Sequence, residues 1–147
     1  MTQLVPFTVE IVDWTRQHEV LAKIRTDVFV HEQNVPAEME RDDLDAGAIH
    51  VAACDSTGTA VGTGRLILDR PVPRIGRMAV VKPWRNAGVG GKILEILCAA
   101  AKRGGFADVL VHCQTHASPY YFKHGFLSQG SEFFEAGIPH QEMRKRI

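Results

Sequence analysis

Cysteine is scarce in this chain and poorly spaced for either of its structural uses. Cys54, Cys98 and Cys113 are the only three; their odd number and the lack of any C-x-x-C argue against a disulfide framework and a zinc knuckle alike. An excess of charge of one sign is missing too. Seventeen Lys+Arg balance 17 Asp+Glu, so no global basic surplus draws the chain to nucleic acid. No apolar run approaches the ~18 residues of a membrane-spanning helix. There is no internal repeat, no low-complexity tract and no Pro/Ser linker, so the 147 residues read as one domain, 1–147, of ordinary size. The opening MTQLVPFTVEIVDW has no basic segment followed by an apolar stretch, the mark of a secretory leader, so a reducing, cytoplasmic setting is expected.

What is present is a globular composition, 45% hydrophobic and 23% charged, with clear periodicity. Phe7 to Trp14 begins with apolar/polar alternation and predicts a strand. Asp13 or Thr15 can cap a following helix, in which Val20, Leu21, Ile24 and Val28 share one face and which should end near Gln33. Asn34 to Ala46 is acidic and turn-rich, an ordered loop or short helix. Ile49–Cys54 and Ala60–Leu68 predict a hairpin about Asp55-Ser56-Thr57-Gly58, and Gly62 and Gly64 inside its second arm suggest a bulge or a close backbone approach. Strands over Arg74–Val81 and Ala107–Cys113 flank a mostly buried helix from about Gly88 to Arg103, stopped by Gly104 and Gly105. Ser118–Lys123 predicts a short helix, with Phe122 buried; Phe126 onward and Glu142–Ile147 predict closing strands. The fold class is α/β, a mixed central sheet flanked by helices.

The most informative stretch joins the strand ending at Val81 to that buried helix: Arg85-Asn86-Ala87-Gly88-Val89-Gly90-Gly91. Amides at a helix N-terminus lack partners, and the helix dipole adds positive character there. Glycines remove the Cβ atoms that would hold a phosphate away. Such a turn can cradle a pyrophosphate; the plainer alternative is a glycine-rich strand-to-helix connection. A P-loop would need Gly at position 86 and Ser or Thr at 93, where the chain has Asn86 and Ile93. The dinucleotide fingerprint fails at Ile93 as well.

The pattern Arg85-x-x-Gly88-x-Gly90 after an apolar strand resembles the acyl-CoA-binding motif of the Gcn5-related N-acetyltransferases, the GNAT family. Tyr120-Tyr121-Phe122-Lys123-His124-Gly125-Phe126 is similar to that family's downstream Phe-Tyr-x-x-x-Gly-Phe. Ile24-Arg25, Val28 to Gln33, Asp42, Asp45, His50, Glu135 to His140 and Met143 resemble the ElaA-like branch. The family fold and acyl transfer from acetyl-CoA to a primary amine are what the resemblance implies. Arg85 to Gly91 would hold the diphosphate. Met78, Ala79 and Val80 would pair with the pantetheine arm, splaying from the neighbouring strand, and amides around Ala79 or Val80 would stabilise the oxyanion. Tyr121 would protonate the leaving sulfur, with Tyr120 as the alternative donor. Pro119, absent from the branch pattern, fits a first helical turn.

A lysine-type amine is almost wholly protonated at neutral pH, so a base is needed. Glu32, Glu135, His50 and His140 are candidates. Glu32 ends the first helix, and His140 follows Pro139 in a loop expected to approach the same cleft. Asp42, Asp43 and Asp45 either make the acceptor mouth negative or are simply solvated. His112 and His116 lack a third ligand, so no metal is expected. Cys113 reads as a small buried hydrophobe; Trp84 either packs beneath the phosphates or lies on the surface. Expected partners are acetyl-CoA and a small-molecule or peptide amine, without nucleic acid or membrane, in a monomer or homodimer. The rival readings are a non-catalytic acyl-CoA-binding regulatory domain and a nucleotide-binding module.

Overall fold

The computed structural model describes residues 6–40 and 42–147; the first five residues and Arg41, inside the acidic segment, lie outside the described residues. Seven strands form one sheet in the order β1-β2-β3-β4-β5-β7-β6. They are β1 (Phe7–Val12), β2 (Ile49–Asp55), β3 (Ala60–Ile67), β4 (Arg74–Val80), β5 (Asp108–Gln114), β6 (Leu127–Glu135) and β7 (Ile138–Arg146). Only β4 and β5 run parallel; every other pairing is antiparallel. The helices are α1 (Trp14–Arg25), α2 (Ala37–Glu40), α3 (Val89–Arg103) and α4 (Ser118–Lys123). The expected element order holds throughout.

Asp13 is the cap of α1, its carboxylate accepting from the Thr15 N–H at 3.0 Å. The first helix does not continue unchanged to Gln33. From Thr26 to Glu32 it widens into a π-helix, a form that recurs near functional sites. Helix α3 buries Val89, Ile93, Leu94, Leu97, Cys98 and Ala101 against the sheet. That contact explains a glycine in β3. A Cβ on Gly64 would meet Ile93 and the Met78 sulfur at 2.8 Å, so the close-approach expectation is met.

The bulge is there as well, carried by the neighbour. Thr63 faces Ala79 and Arg65 faces Gly76, so Arg77 and Met78 together stand opposite Gly64. Arg77 takes the left-handed conformation, φ 50°, and the strand bends. Strand β4 therefore pairs with β5 only at Arg74–Leu110 and Ile75–Val111. Beyond those two residues the strands diverge and the sheet opens.

Strand β7 is longer than expected. It has nine residues, of which seven pair with β5, from Asp108–Arg146 to Gln114–His140. His140, expected in a loop, is thus a strand residue; the sequence Ile-Pro-His-Gln hides it because proline argues against an interior strand, and Pro139 here pairs only toward the outer strand β6.

Candidate active site

The opening between β4 and β5 holds two adjoining spaces. The first is a groove of ≈ 380 Å³ running from Met78, Ala79 and Val80 over Trp84, Arg85 and Asn86 to Gly88, Val89, Gly90 and Gly91, closed by Tyr120, Tyr121 and His124. The strand residues and the glycine turn expected to share one ligand thus do line one space; Trp84 is part of it, packed edge-on against Phe7 at 6.2 Å.

The turn is backbone-built. Gly88 precedes α3 with φ 86°, a conformation glycine adopts without a Cβ penalty. The first intrahelical bond is Lys92 N–H to Gly88 C=O at 3.1 Å, so the N–H groups of Val89, Gly90 and Gly91 have no helical acceptor. No side chain caps them, and no acidic residue stands in the first turn. Gly90 and Gly91 answer to packing: a Cβ on either would strike the Tyr120 hydroxyl at 2.5 Å or the His124 ring at 2.9 Å. A phosphate-sized anion fits these open donors by charge and by the absence of side chains.

Along β4, the Val81 N–H donates to Val61 of β3 at 3.0 Å. The preceding residue must face the other way, and Val80 does: its carbonyl accepts from Arg85 Nε at 2.9 Å. The Val80 N–H points the same way, into the opening. Arg85 also donates through both Nη atoms to Glu32, at 2.6 and 2.8 Å. These hydrogen bonds lower the Glu32 pKa, weakening it as a base, and Glu32 does not line the second of the two spaces. Its approach to that cavity from the end of the first helix is therefore not realised: the π turn directs Phe29 and Gln33 there and gives Glu32 to Arg85.

The second space, of ≈ 210 Å³, adjoins the groove at Met78, Ala117 and Tyr121, and is lined on its far side by Phe29, Glu40, Arg77, His112, Glu135 and His140. Tyr121 stands where the two meet. Its ring packs edge-on against Phe126 at 5.8 Å. Burial, and beyond it the neighbouring Cys113, push its pKa up, so the hydroxyl keeps its proton at neutral pH. Pro119 sits in the first turn of α4. Phe122, expected to be buried, is 65% exposed, whereas Phe126 is fully buried. Consecutive helix positions lie on different faces, and with Tyr121 inward Phe122 points out.

Of the four base candidates, two reach this cavity. His140 is buried; its Nδ1 donates to the Ile138 carbonyl at 2.7 Å, so Nε2 is the ring nitrogen left to act on a ligand. Glu135 lies 3.6 Å from that Nε2. His50 is buried on the α1 side, stacked on Trp14 at 4.3 Å with Nε2 2.8 Å from the Asp45 carbonyl; burial lowers its pKa. Cys113 is buried, its thiol pushed up by desolvation, as a packing residue should be.

The acidic loop fits neither reading whole. Asp42 and Asp43 meet solvent while Asp45 is buried, and Asp42 and Asp45 are committed to arginines rather than free to greet a cation. Asp45 binds Arg25 at 2.8 and 3.0 Å and Arg65 at 2.8 Å; Asp42 binds Arg65 at 2.8 and 2.7 Å and Arg77 at 3.1 Å. Glu40 is buried against Arg25. Hydrogen bonds from Arg65 hold the Asp42 carboxyl down at about 2. The sequence carries a partial signal for this network, Arg25 on the apolar face of α1 and Arg65 inside an apolar strand. His124 and His112 had no such signal.

The model for the family described as Acetyltransferase (GNAT) domain matches residues 12–147. A Bacillus subtilis relative named as an uncharacterized N-acetyltransferase, YjcF, is 44% identical over 124 residues, 83% of this chain and 87% of its own. An acyl-CoA N-acyltransferase structure from Pseudomonas aeruginosa superposes with a TM-score of 0.80 at 28% identity, covering 96% of this chain and 99% of that one. Escherichia coli ElaA, at 23% identity, has the same fold, with a TM-score of 0.83 over 95% of this chain and 99% of that one.

Proposed function

The chain belongs to the GNAT acetyltransferase family and is an acyltransferase, and from that premise we propose that it transfers an acetyl group from acetyl-CoA to a primary amine by direct attack. The observation that carries this reading is the meeting at Tyr121 of a groove floored by uncapped amides and a cavity lined by His140.

The amides of Val89, Gly90 and Gly91 bind the diphosphate, with Asn86, Ala87 and Gly88 shaping the turn around it. Met78, Ala79 and Val80 run beside the pantetheine arm. The Val80 N–H faces the thioester oxygen and stabilises the negative charge that builds there as nitrogen attacks; one such donor contributes ~2.7–4 kcal/mol. His140 Nε2 removes the proton from the incoming ammonium, directly or through water, in preference to Glu32. As the C–N bond forms and the C–S bond breaks, Tyr121 gives its proton to the sulfur, and the second proton lost by the nitrogen returns to the tyrosinate through water. The role of Arg85 is to hold the Val80 carbonyl, and through Glu32 the end of the π-helix, beside the groove.

Thiol release from acetyl-CoA with a panel of amines tests this. Tyr121→Phe is expected to lower kcat by ~10²-fold or more with acetyl-CoA affinity unchanged. Equal turnover would remove Tyr121 as the acid. Saturable acetyl-CoA binding with no release for any amine would return the chain to a non-catalytic binding role.

A further inference from the structure

Arg25, Arg65 and Arg77, of which Arg77 lines the acceptor cavity, each reach a carboxylate. Arg74 does not. It opens β4, is half-buried, and no carboxylate among the described residues lies within ion-pair distance of it. Its single hydrogen bond there joins Nη1 to His112 Nδ1 at 3.2 Å; His112 turns its other nitrogen to Glu142 at 2.8 Å, which holds the ring in place. A guanidinium has five N–H donors in a rigid fork, so the Nε and Nη2 side of Arg74 is left without a protein acceptor. Burial, then repulsion from Arg70, lower its pKa, with Glu135 the only acid opposing them among the leading influences. A half-buried arginine whose fork meets no protein acceptor among the described residues offers a carboxylate two charge-assisted donors.

The fork opens into a recess of ≈ 300 Å³ that Arg74 lines with Arg65, Arg77, Glu135 and His140. Arg77, Glu135 and His140 also line the acceptor cavity, so the recess continues it outward. Asp42, the other acid in the recess, is occupied by Arg65 and Arg77. From Arg74 to Met78, at the inner end of the cavity, is four residues of strand, at most ~13 Å, part of it spanned by the arginine side chain. An α-amine, one carbon from its carboxylate, cannot reach across; an amine several carbons from its carboxylate can.

We propose that the acceptor is an amino-carboxylic acid of extended form, its amine beside His140 and Tyr121 and its carboxylate on the Arg74 fork. This deepens the transferase reading and rests on it. The carboxylate and the amine would then enter by a path whose acid, Glu135, stands nearer the amine end through its contact with His140.

The test compares 6-aminohexanoate with 1-aminopentane, which differ only by the carboxylate, at saturating acetyl-CoA. A kcat/KM preference of ~10–100-fold for the acid is expected, the range for hydrogen bonds to a charged group. Arg74→Gln should collapse that ratio toward one, and Arg74→Lys, which keeps the charge and loses the fork, should retain part of it. Titration with acetyl-CoA reports whether each variant is folded; if Arg74→Gln is not, the wild-type ratio and Arg74→Lys decide. Equal use of the two amines, or an undiminished ratio in the variants, overturns the acceptor proposal and leaves the transferase standing. Release with neither amine also overturns it, and acetyl-CoA binding measured separately then shows whether the coenzyme reading falls too.

Discussion

The groove proposed for the coenzyme and the cavity proposed for the acceptor share Met78, Ala117 and Tyr121, yet they are held by different physics. The groove is main chain: a left-handed glycine, three uncapped amides and a strand edge exposed by a bulge. The cavity wall is side chain, and its outer part is braced by arginines and acids drawn from α1, the acidic loop, β3 and β4. A backbone site answers to local conformation, so single substitutions disturb binding while the fold persists. A side-chain network answers to pairing, so losing one member leaves a buried charge behind and the fold itself suffers.

The strongest break of that contrast is Gly88→Glu. Nothing lies within 4 Å of a Cβ built at Gly88, so the side chain is tolerated sterically, and the left-handed backbone costs about 1–2 kcal/mol. The carboxylate, however, stands where diphosphate belongs. Losing two charge-assisted hydrogen bonds predicts a fall in acetyl-CoA affinity of at least ~100-fold, read by calorimetric titration, with the chain still folded. Unchanged affinity would take the diphosphate out of the turn.

Arg65→Met attacks the other region. Arg65 is 2% exposed, and removing it strands Asp42 and Asp45 with one arginine fewer. Breaking one partner of a buried pair costs ~3–5 kcal/mol. Urea unfolding should show that loss, with acetyl-CoA affinity in the surviving folded fraction unaltered. A drop below ~1 kcal/mol, the range of exposed pairs, would mean the network is a surface feature.

The same contrast explains what the sequence made legible. The groove could be read because its determinants are contiguous: seven residues from Arg85 to Gly91 after an apolar strand. Strand and helix order came from periodicity, and the short helix carrying Tyr121 was visible for the same reason. The network was legible only in part, in Arg25 on an apolar helix face and Arg65 in an apolar strand, because Arg25, Glu40, Asp45 and Arg65 meet only in three dimensions, and a charge in a loop looks solvated until a partner is seen. Phe122 failed for a subtler cause. In a six-residue helix the inward face is chosen by the anchor it packs on, here Phe126, and not by hydrophobicity. His140 was recognised as a candidate but misplaced, since Pro139 hid the strand that carries it.

Acid sharpens the comparison with a smaller effect. Asp42 has a pKa held at about 2 against an ordinary 3.8. A carboxyl whose folded pKa is depressed adds stability that is complete above its unfolded value and is lost as pH falls through the folded one. The urea midpoint should therefore decline between pH 3.8 and about 2, and Asp42→Asn should flatten that part of the curve. The two tryptophans report the regions separately. Trp14 stacks on His50 and under Arg25 in the network, and Trp84 lines the groove. In Trp84→Phe, the remaining Trp14 signal should track the acid transition. A curve of the same slope in Asp42→Asn would assign the acid sensitivity to other carboxylates.

The smallest expected effect is the most telling about chemistry. Glu32 and Arg85 join the π-helix to the groove, with 41% and 33% of their side chains exposed, so water and salt screen the pair. Glu32→Gln should cost no more than ~1 kcal/mol of stability. If Glu32 were the base, the same change would cut kcat by ~10²-fold. If it only positions Arg85, kcat should stay near wild type and the pH dependence of kcat should be unmoved, while any loss appears in the KM for acetyl-CoA. His140→Gln, placed beside it, should reverse the pattern if His140 is the proposed base, because it lines the cavity and not the groove. The pair of variants thus separates a carboxylate committed to the backbone-built region from a histidine committed to the side-chain-built one.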